Sequence, residues 1–320
     1  MPSSLVEVSP RVSAALAAGE PVVALESTII SHGLPRPGNL AAAQRFEQIL
    51  QQHNVTPATI ALIDGVPKVG LDAKDLERIA ADESVVKVGS RDIAIAMARK
   101  VTGGTTVAAT SVLAARAGLR VFATGGLGGV HRGAGETFDE SADLTVLSRT
   151  PITVVSAGVK SILDIPATLE RLETLSVAVV GYQTSRFPAF WLSDSGYDLD
   201  WQVDSPAEIA DIMAARDAFG EPSALLVANP LPLDQQLDPA LHDQVLNEAL
   251  AAADEENVRG KAVTPFLLAY MQRATEGKSV EVNLDVARGN IALAAEIATA
   301  WADLATKTAD ARPVTGETQP

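Results

Sequence analysis

A layered α/β/α fold around a central, mostly parallel sheet is what this chain of 320 residues predicts. Three observations carry that expectation. Short aliphatic runs, apolar at nearly every position, recur along the chain, as expected for strands covered on both faces. Between them lie longer stretches with helical spacing, and strand–helix alternation is the pattern of parallel α/β layers. Finally, polar and Gly-rich segments follow the aliphatic runs directly, at the strand ends beyond which such sheets bind their ligands.

The runs expected as strands are Pro21–Leu25, Thr59–Ile63, Arg120–Ala123, Ile152–Val155, Val177–Val180 and Ala224–Ala228. Helical spacing first appears at Leu40–His53, with Asn39 as N-cap and Ala43, Phe46, Ile49 and Leu50 on one face. It recurs at Lys74–Ala81, Arg91–Lys100, Val107–Ala117, Ser161–Leu175, Pro206–Ala218, Pro239–Asn257 and Leu284–Leu304. The helices from Leu237 onward either cap the sheet or form a small helical lobe. No linker divides the chain, so residues 1–305 read as a single domain. Thr306–Pro320, polar, rich in Thr and Pro and without apolar period, reads as a flexible tail.

Composition narrows the function. Apolar residues make up 47% of the chain, which is ample for a packed core. Lys and Arg number 25 against 40 Asp and Glu, a formal charge of −15 that lacks the footprint of a nucleic-acid-coating protein. The absence of cysteine removes disulfides, thiolate metal sites and cysteine nucleophiles. No apolar stretch is long enough to span a membrane, and Met1–Glu7 lacks the basic start and apolar run of a secretory signal. The expectation is a cytoplasmic protein with no nucleic-acid or membrane partner.

Several segments carry chemistry. In Gly125-Gly-Leu-Gly-Gly-Val-His-Arg-Gly133, glycines let backbone N–H groups approach an anion while His131 and Arg132 add donors, so the run reads as a sugar-phosphate loop; a plain tight turn is the bland alternative. It fits neither a dinucleotide fingerprint nor a P-loop. Lys160, in Ser156-Ala-Gly-Val-Lys160, follows an apolar strand. An amine kept uncharged by apolar surroundings attacks carbonyls and forms Schiff bases, whereas an ordinary surface lysine snorkels. Lys87, embedded in Val85-Val-Lys-Val-Gly-Ser90, is a second cation to place near it. Glu26 ends a strand and is positioned for acid–base work, or for capping the turn that follows. Asp139 and Asp143 would share one helical face as hard oxygen ligands for Mg²⁺ or Mn²⁺, or would cap a helix. The histidines at 32, 53, 131 and 242 are too scattered for zinc, and His53 and His242 read as surface residues.

Taken together, these loops resemble the pseudouridine-5′-phosphate glycosidases, a family also called indigoidine synthase A-like. The resemblance runs from about Val22 to Ala300 and rests on Ala24-Leu-Glu-Ser-Thr28, Ser31-His-Gly-Leu-Pro35, Asp64-Gly-Val-Pro67, Phe122–Gly133, Ser156–Asp164, Gly181-Tyr-Gln-Thr184, Val227-Ala-Asn-Pro230 and Thr264-Pro-Phe-Leu-Leu268. It implies reversible cleavage of pseudouridine 5′-phosphate to uracil and ribose 5-phosphate. By position it makes Lys160 the Schiff-base lysine, Glu26 the proton donor, Lys87 a substrate contact and Asp139 the ligand of one Mn²⁺ per subunit. Val107, Ser141, Ala142 and Asp143 fall at positions lining the substrate, and the family's assembly implies a homotrimer. His131 and Arg132 join Lys87 as candidates to hold the phosphate, and Asn283 is a candidate for the uracil edge. A Schiff-base aldolase on a sugar phosphate and a non-catalytic sugar-phosphate sensor are the competing readings.

Overall fold

Four consecutive residues show how the sheet is built. Val22, Val23, Ala24 and Leu25 are all buried, and they alternate between two cores: Val22 and Ala24 pack on one face, Val23 and Leu25 on the other. A strand apolar at every position therefore serves two helical layers at once. The computed structural model describes residues 5–310. Its strands are β1 (Glu7–Val8), β2 (Val22–Leu25), β3 (Thr56–Ile63), β4 (Val66–Val69), β5 (Val86–Val88), β6 (Gly103–Thr105), β7 (Val121–Ala123), β8 (Thr153–Ser156), β9 (Ala178–Tyr182), β10 (Gln202–Val203) and β11 (Leu225–Ala228). They hydrogen-bond in the order β1-β4-β3-β2-β7-β8-β11-β9-β10, with β6 pairing β3 and β5 pairing β6. Only the pairs of β3 with β4 and with β6 are antiparallel among the described residues.

One face carries the helices Gly38–Gln52, Pro206–Phe219 and much of Lys278–Asp310, whose Phe46, Ile209, Met213, Ile291 and Ala294 meet Val23, Val121, Val155 and Val227. The opposite face is covered by Val107–Arg116, among others, and its core joins residues of Pro239–Glu255 and Val263–Ala274 with Ala24, Phe122, Val154 and Leu226. Of the late helices, Lys278–Asp310 packs on β2, β7 and β8, whereas Pro239–Glu255 and Val263–Ala274 pack chiefly on each other.

The aliphatic runs expected as strands are β2, β3, β7, β8, β9 and β11. The strands not expected lie towards the sheet's ends or on its antiparallel branch, and they lack an apolar run: Val66-Pro-Lys-Val69 contains Pro and Lys, and β6 is Gly-Gly-Thr. Asp64-Gly65, both at positive φ, makes the two-residue turn joining β3 to β4, so this segment is a hairpin. Asn39 lies inside its helix and does not cap it; its amide donates to the carbonyls of Ile30 (2.8 Å) and Ala80 (2.9 Å). The helix expected from Ser161 begins at Ile165, capped by Asp164, which leaves Lys160 in the preceding loop. The last helix runs on to Asp310, past the expected start of the tail; residues 311–320 lie outside those described.

Parallel register aligns the strand ends. Leu25 pairs with Ala123, Ala123 with Val155, and Val155 with Val227. The residues that follow, among them Glu26 and Thr124, therefore leave the sheet side by side. Buried Asn290 locks this edge: its amide donates to the carbonyls of Thr124 (2.7 Å) and Gly125 (3.1 Å), and its oxygen accepts from the Asn229 amide at 3.0 Å. Because truncation strands polar groups in a dry interior, Asn290→Ala is expected to lower unfolding free energy by about 2–3 kcal/mol in urea titrations. A loss under about 0.5 kcal/mol would show that the edge is held elsewhere.

Candidate active site

Beyond the strand ends lies a solvent-open cavity lined by Glu26, Thr28, His32, Lys87, Gly125, Gly126, Lys160, Phe190, Thr264, Leu268 and Asn283, among others. Four residues singled out from the sequence meet here, although the chain brings them from four distant segments: Glu26, Lys87, Lys160 and Asn283.

Glu26 is placed by the residue after it. Ser27, fully buried, donates through its hydroxyl to the Ile60 carbonyl (2.6 Å) and accepts from the Thr105 amide (2.9 Å), tying the end of β2 to β3 and β6. Thr105 in turn donates to the same Ile60 carbonyl. Lys87 in β5 is in register with Gly104 of β6, and a side chain at Gly104 would strike Ser31 and Ser27. The close β6–Ser27 approach therefore sets Lys87 near Glu26. Lys87 is exposed at the cavity rim, not embedded as its apolar neighbours suggested.

The Glu26 carboxylate accepts from the Thr124 hydroxyl. Burial pushes this carboxyl above its ordinary value, against the lowering pull of Lys160, the Thr124 hydroxyl and Lys87; the nearby Asp143 charge adds to the rise. Such an environment suits a group that takes part in proton transfer. Lys160 is half-buried, and its amine donates to the Gly126 carbonyl at 2.8 Å. Its loop is pinned at Gly158, whose φ of +74° and 2.2 Å clearance to the Pro188 carbonyl admit no side chain.

The Gly-rich run answers first to packing. A Cβ at Gly126 would meet the Phe190 ring at 2.6 Å, at Gly128 the Ser141 hydroxyl at 2.3 Å, and at Gly129 the Thr168 hydroxyl at 2.4 Å. Gly125 and Gly126 nevertheless line the cavity. Asp139 and Asp143 do not share a helical face: Asp139 precedes the helix Ala142–Leu147, capped by Ser141, and Asp143 lies within it. Buried Asp143 accepts from the amides of Ala108 (2.9 Å) and Gly128 (2.8 Å), so its carboxylate fastens the Gly-rich loop to the start of the helix Val107–Arg116. Val107 is buried at that helix start, with Ala142 exposed.

His131 is half-buried and, like Glu26, feels the Lys87 charge; burial lowers its pKa, against the pull of Asp139. Arg132 turns elsewhere and lines a second groove together with Ser161 and His242. His53 is exposed as expected. His242 is not: it is 3% exposed and hydrogen-bonded on both ring nitrogens. Spacing could not reveal that, because its buried partner Ser161 lies on a distant loop. Asn290 was missed as well, though a polar residue amid Val286, Ala287, Ile291 and Ala294 is a readable signal.

For a divalent ion, the available donors are few. No group of three or more acidic or histidine side chains gathers among the described residues. Asp139 is half-buried with His131 alongside, and neither is among the residues that line the cavity.

A family model described as indigoidine synthase A like protein matches residues 11–300. A pseudouridine-5′-phosphate glycosidase of Frankia alni is 62% identical over 299 residues, covering 93% of this chain and 83% of its own length. One from Saccharopolyspora erythraea is 58% identical over 302 residues, covering 94% and 100%. Among solved structures, the prealnumycin C-glycosynthase AlnA, in complex with ribulose 5-phosphate, superposes with a TM-score of 0.89 at 35% identity, over 96% of this chain and 100% of that one.

A buried carboxyl with a raised pKa costs stability once it must ionise. That cost is absent below the ordinary value of 4.5 and grows as pH rises through the folded-state pKa. Glu26→Gln, which keeps an acceptor for Thr124, is therefore expected to raise Tm by roughly 1–3 °C at neutral pH. The gain should vanish near pH 4, and a gain that persists there would rule out the carboxyl's charge as the cause.

Proposed function

Since this chain belongs to the indigoidine synthase A-like family, we infer that it is a pseudouridine-5′-phosphate glycosidase, cleaving the C–C bond between ribose and uracil to give uracil and ribose 5-phosphate. What carries the reading to individual residues is the convergence of Glu26, Lys87, Lys160 and Asn283 on one cavity. The likeness to a C-glycosynthase crystallised with a pentulose phosphate supports chemistry at a carbon-linked sugar.

The bond dictates the catalyst. Ordinary glycosidases protonate a heteroatom leaving group and pass through an oxocarbenium-like state. In pseudouridine the base is joined through carbon, so C5 of uracil must take a proton while C1′ finds another source of electrons. In the proposed sequence, the Glu26 carboxyl protonates O4′ as the C1′–O4′ bond breaks, and the amine of Lys160 then adds at C1′ and passes its proton back to Glu26. Glu26 then delivers a proton to C5, uracil leaves with that proton, and C1′ remains as a lysine iminium. Water hydrolyses the iminium to ribose 5-phosphate and frees the amine. Covalent capture divides one hard cleavage into easier steps, and the elevated carboxyl pKa keeps a proton available.

Lys87 at the rim, with His131 nearby, is the proposed phosphate site, offsetting the chain's −15 charge locally. Arg132, on the second groove, would need to turn to join them. Asn283 is the proposed partner of the uracil edge, and Ser141, Ala142 and Val107 the walls around the phosphate end. Asp139 is the proposed Mn²⁺ ligand, an ion that would offset negative charge on substrate oxygens. The same reading proposes a cytoplasmic homotrimer. Large apolar side chains left exposed on the single chain, Phe219 at 85% and Phe138 at 84%, are available to subunit contacts. Light scattering should return three chain masses.

Turnover of pseudouridine 5′-phosphate, assayed by uracil release, should fall at least ~10³-fold in Lys160→Ala and drop on chelation until Mn²⁺ is restored. Borohydride reduction with ribose 5-phosphate should leave the pentose on the peptide bearing Lys160; label confined to another lysine would overturn the assignment. Uracil plus ribose 5-phosphate should give the C-linked nucleotide, a product that a sugar-phosphate aldolase would not make.

A further inference from the structure

The residue after Lys160 is held in a way that packing alone does not require. The Ser161 side chain is buried, and its hydroxyl lies 2.8 Å from Nε2 of His242, which sits 81 residues away on the helix Pro239–Glu255. Nδ1 of the same ring lies 3.0 Å from the Asp243 carboxylate. With a carboxylate as its partner, Nδ1 carries the hydrogen, so Nε2 is the acceptor and Ser161 the donor. Burial lowers the His242 pKa, against the pull of Asp243, which keeps Nε2 available to accept.

The imidazole belongs to a closed ring of contacts around the lysine. It packs edge-on against Trp191, with centroids 6.1 Å apart and planes at 64°. The Trp191 indole donates to the Ser279 carbonyl at 3.0 Å, in the helix that carries Asn283, and its ring lies 5.1 Å from Phe190. Phe190 lines the cavity and lies against Gly126, whose carbonyl accepts from the Lys160 amine. Residues on both sides of the lysine are thus fixed from one aromatic cluster.

We propose that Ser161 and His242 are positioning residues for Lys160: their hydrogen bond fixes the backbone from which the amine reaches the cavity. The proposal rests on the reading of Lys160 as the imine-forming residue. An apolar pair would fill the same space at less desolvation cost, whereas a satisfied buried polar pair defines a single geometry. Misplacing a reacting group by an ångström is enough to slow a step by about 10²-fold.

The test compares Ser161→Ala and His242→Phe, which remove donor and acceptor while the second keeps a ring against Trp191, with His242→Gln, which restores an acceptor. Read out are kcat and KM for pseudouridine 5′-phosphate, Tm, and the single-turnover rate of borohydride trapping on Lys160 with ribose 5-phosphate. Expected are a 10–100-fold fall in trapping rate and kcat in both deletion variants, KM within about threefold, a double variant no worse than either single one, and recovery in His242→Gln. Wild-type trapping rates in Ser161→Ala and His242→Phe, whatever their Tm, would overturn the proposal, as would losses that track Tm and are not rescued by Gln. Absence of any Lys160 adduct in the wild type would instead remove the lysine reading on which it stands.

Discussion

A half-buried carboxyl group that feels two lysine side chains is the constraint around which this molecule is arranged. Burial raises the Glu26 pKa, while Lys160, the Thr124 hydroxyl and Lys87 lower it. Between the two it can give up and recover a proton. The balance exists only where Glu26 sits, with Thr124 on the adjacent strand end, Lys160 in the loop after β8 and Lys87 entering from the branch strands β5 and β6. Shift any of these by one residue of register and side chains exchange faces, which empties the site.

That dependence explains where buried polar groups occur. Ser27, Thr105, Asn290, Asp143, Ser161 and His242 all lie in a largely apolar interior, and all satisfy backbone or side-chain partners at the sheet's carboxyl edge or in the loops beyond it. Such groups stabilise modestly and specify strongly, because each has one geometry in which its desolvation is compensated. The glycines work towards the same end by admitting Phe190, Ser141 and Thr168 into contact with the backbone. A loop that resembles an anion cradle in sequence is, in space, a packing surface with its first two glycines at the cavity.

The chemistry inferred for the family gives this rigidity a purpose. Cleaving a carbon–carbon glycosidic bond asks for proton delivery at one atom and amine attack at a neighbouring one, and effective concentration falls quickly when either group wanders. A site on loops needs those loops tied to rigid elements. Here the ties reach β3, β6, the helix bearing Asn290 and the helix bearing His242.

The sequence by itself determined the layered architecture and the central parallel strands, because strands buried on both faces leave an unbroken apolar signature, and it set Glu26 and Lys160 just beyond two of them; Lys87 within β5 and Asn283 on the last helix carry no such signal. It also placed most of the long helices, to within a turn at most ends, but not Val263–Ala274, and it made the last helix, Lys278–Asp310, too short at both ends. What it did not contain was anything set by contacts across long separations. β1, β4, β5, β6 and β10 have no pattern of their own and exist because a neighbour offers a hydrogen-bonding edge. Asn39 looked like a cap and ties its helix to the carbonyls of Ile30 and Ala80; His242 looked like surface and is buried against Ser161; Asp143 looked like a metal ligand or a helix cap and is a staple on two backbone amides. Local pattern reports how much surface a segment must hide. Which polar partner it finds there is decided only when distant parts of the chain pack together, and only the tertiary structure records that choice.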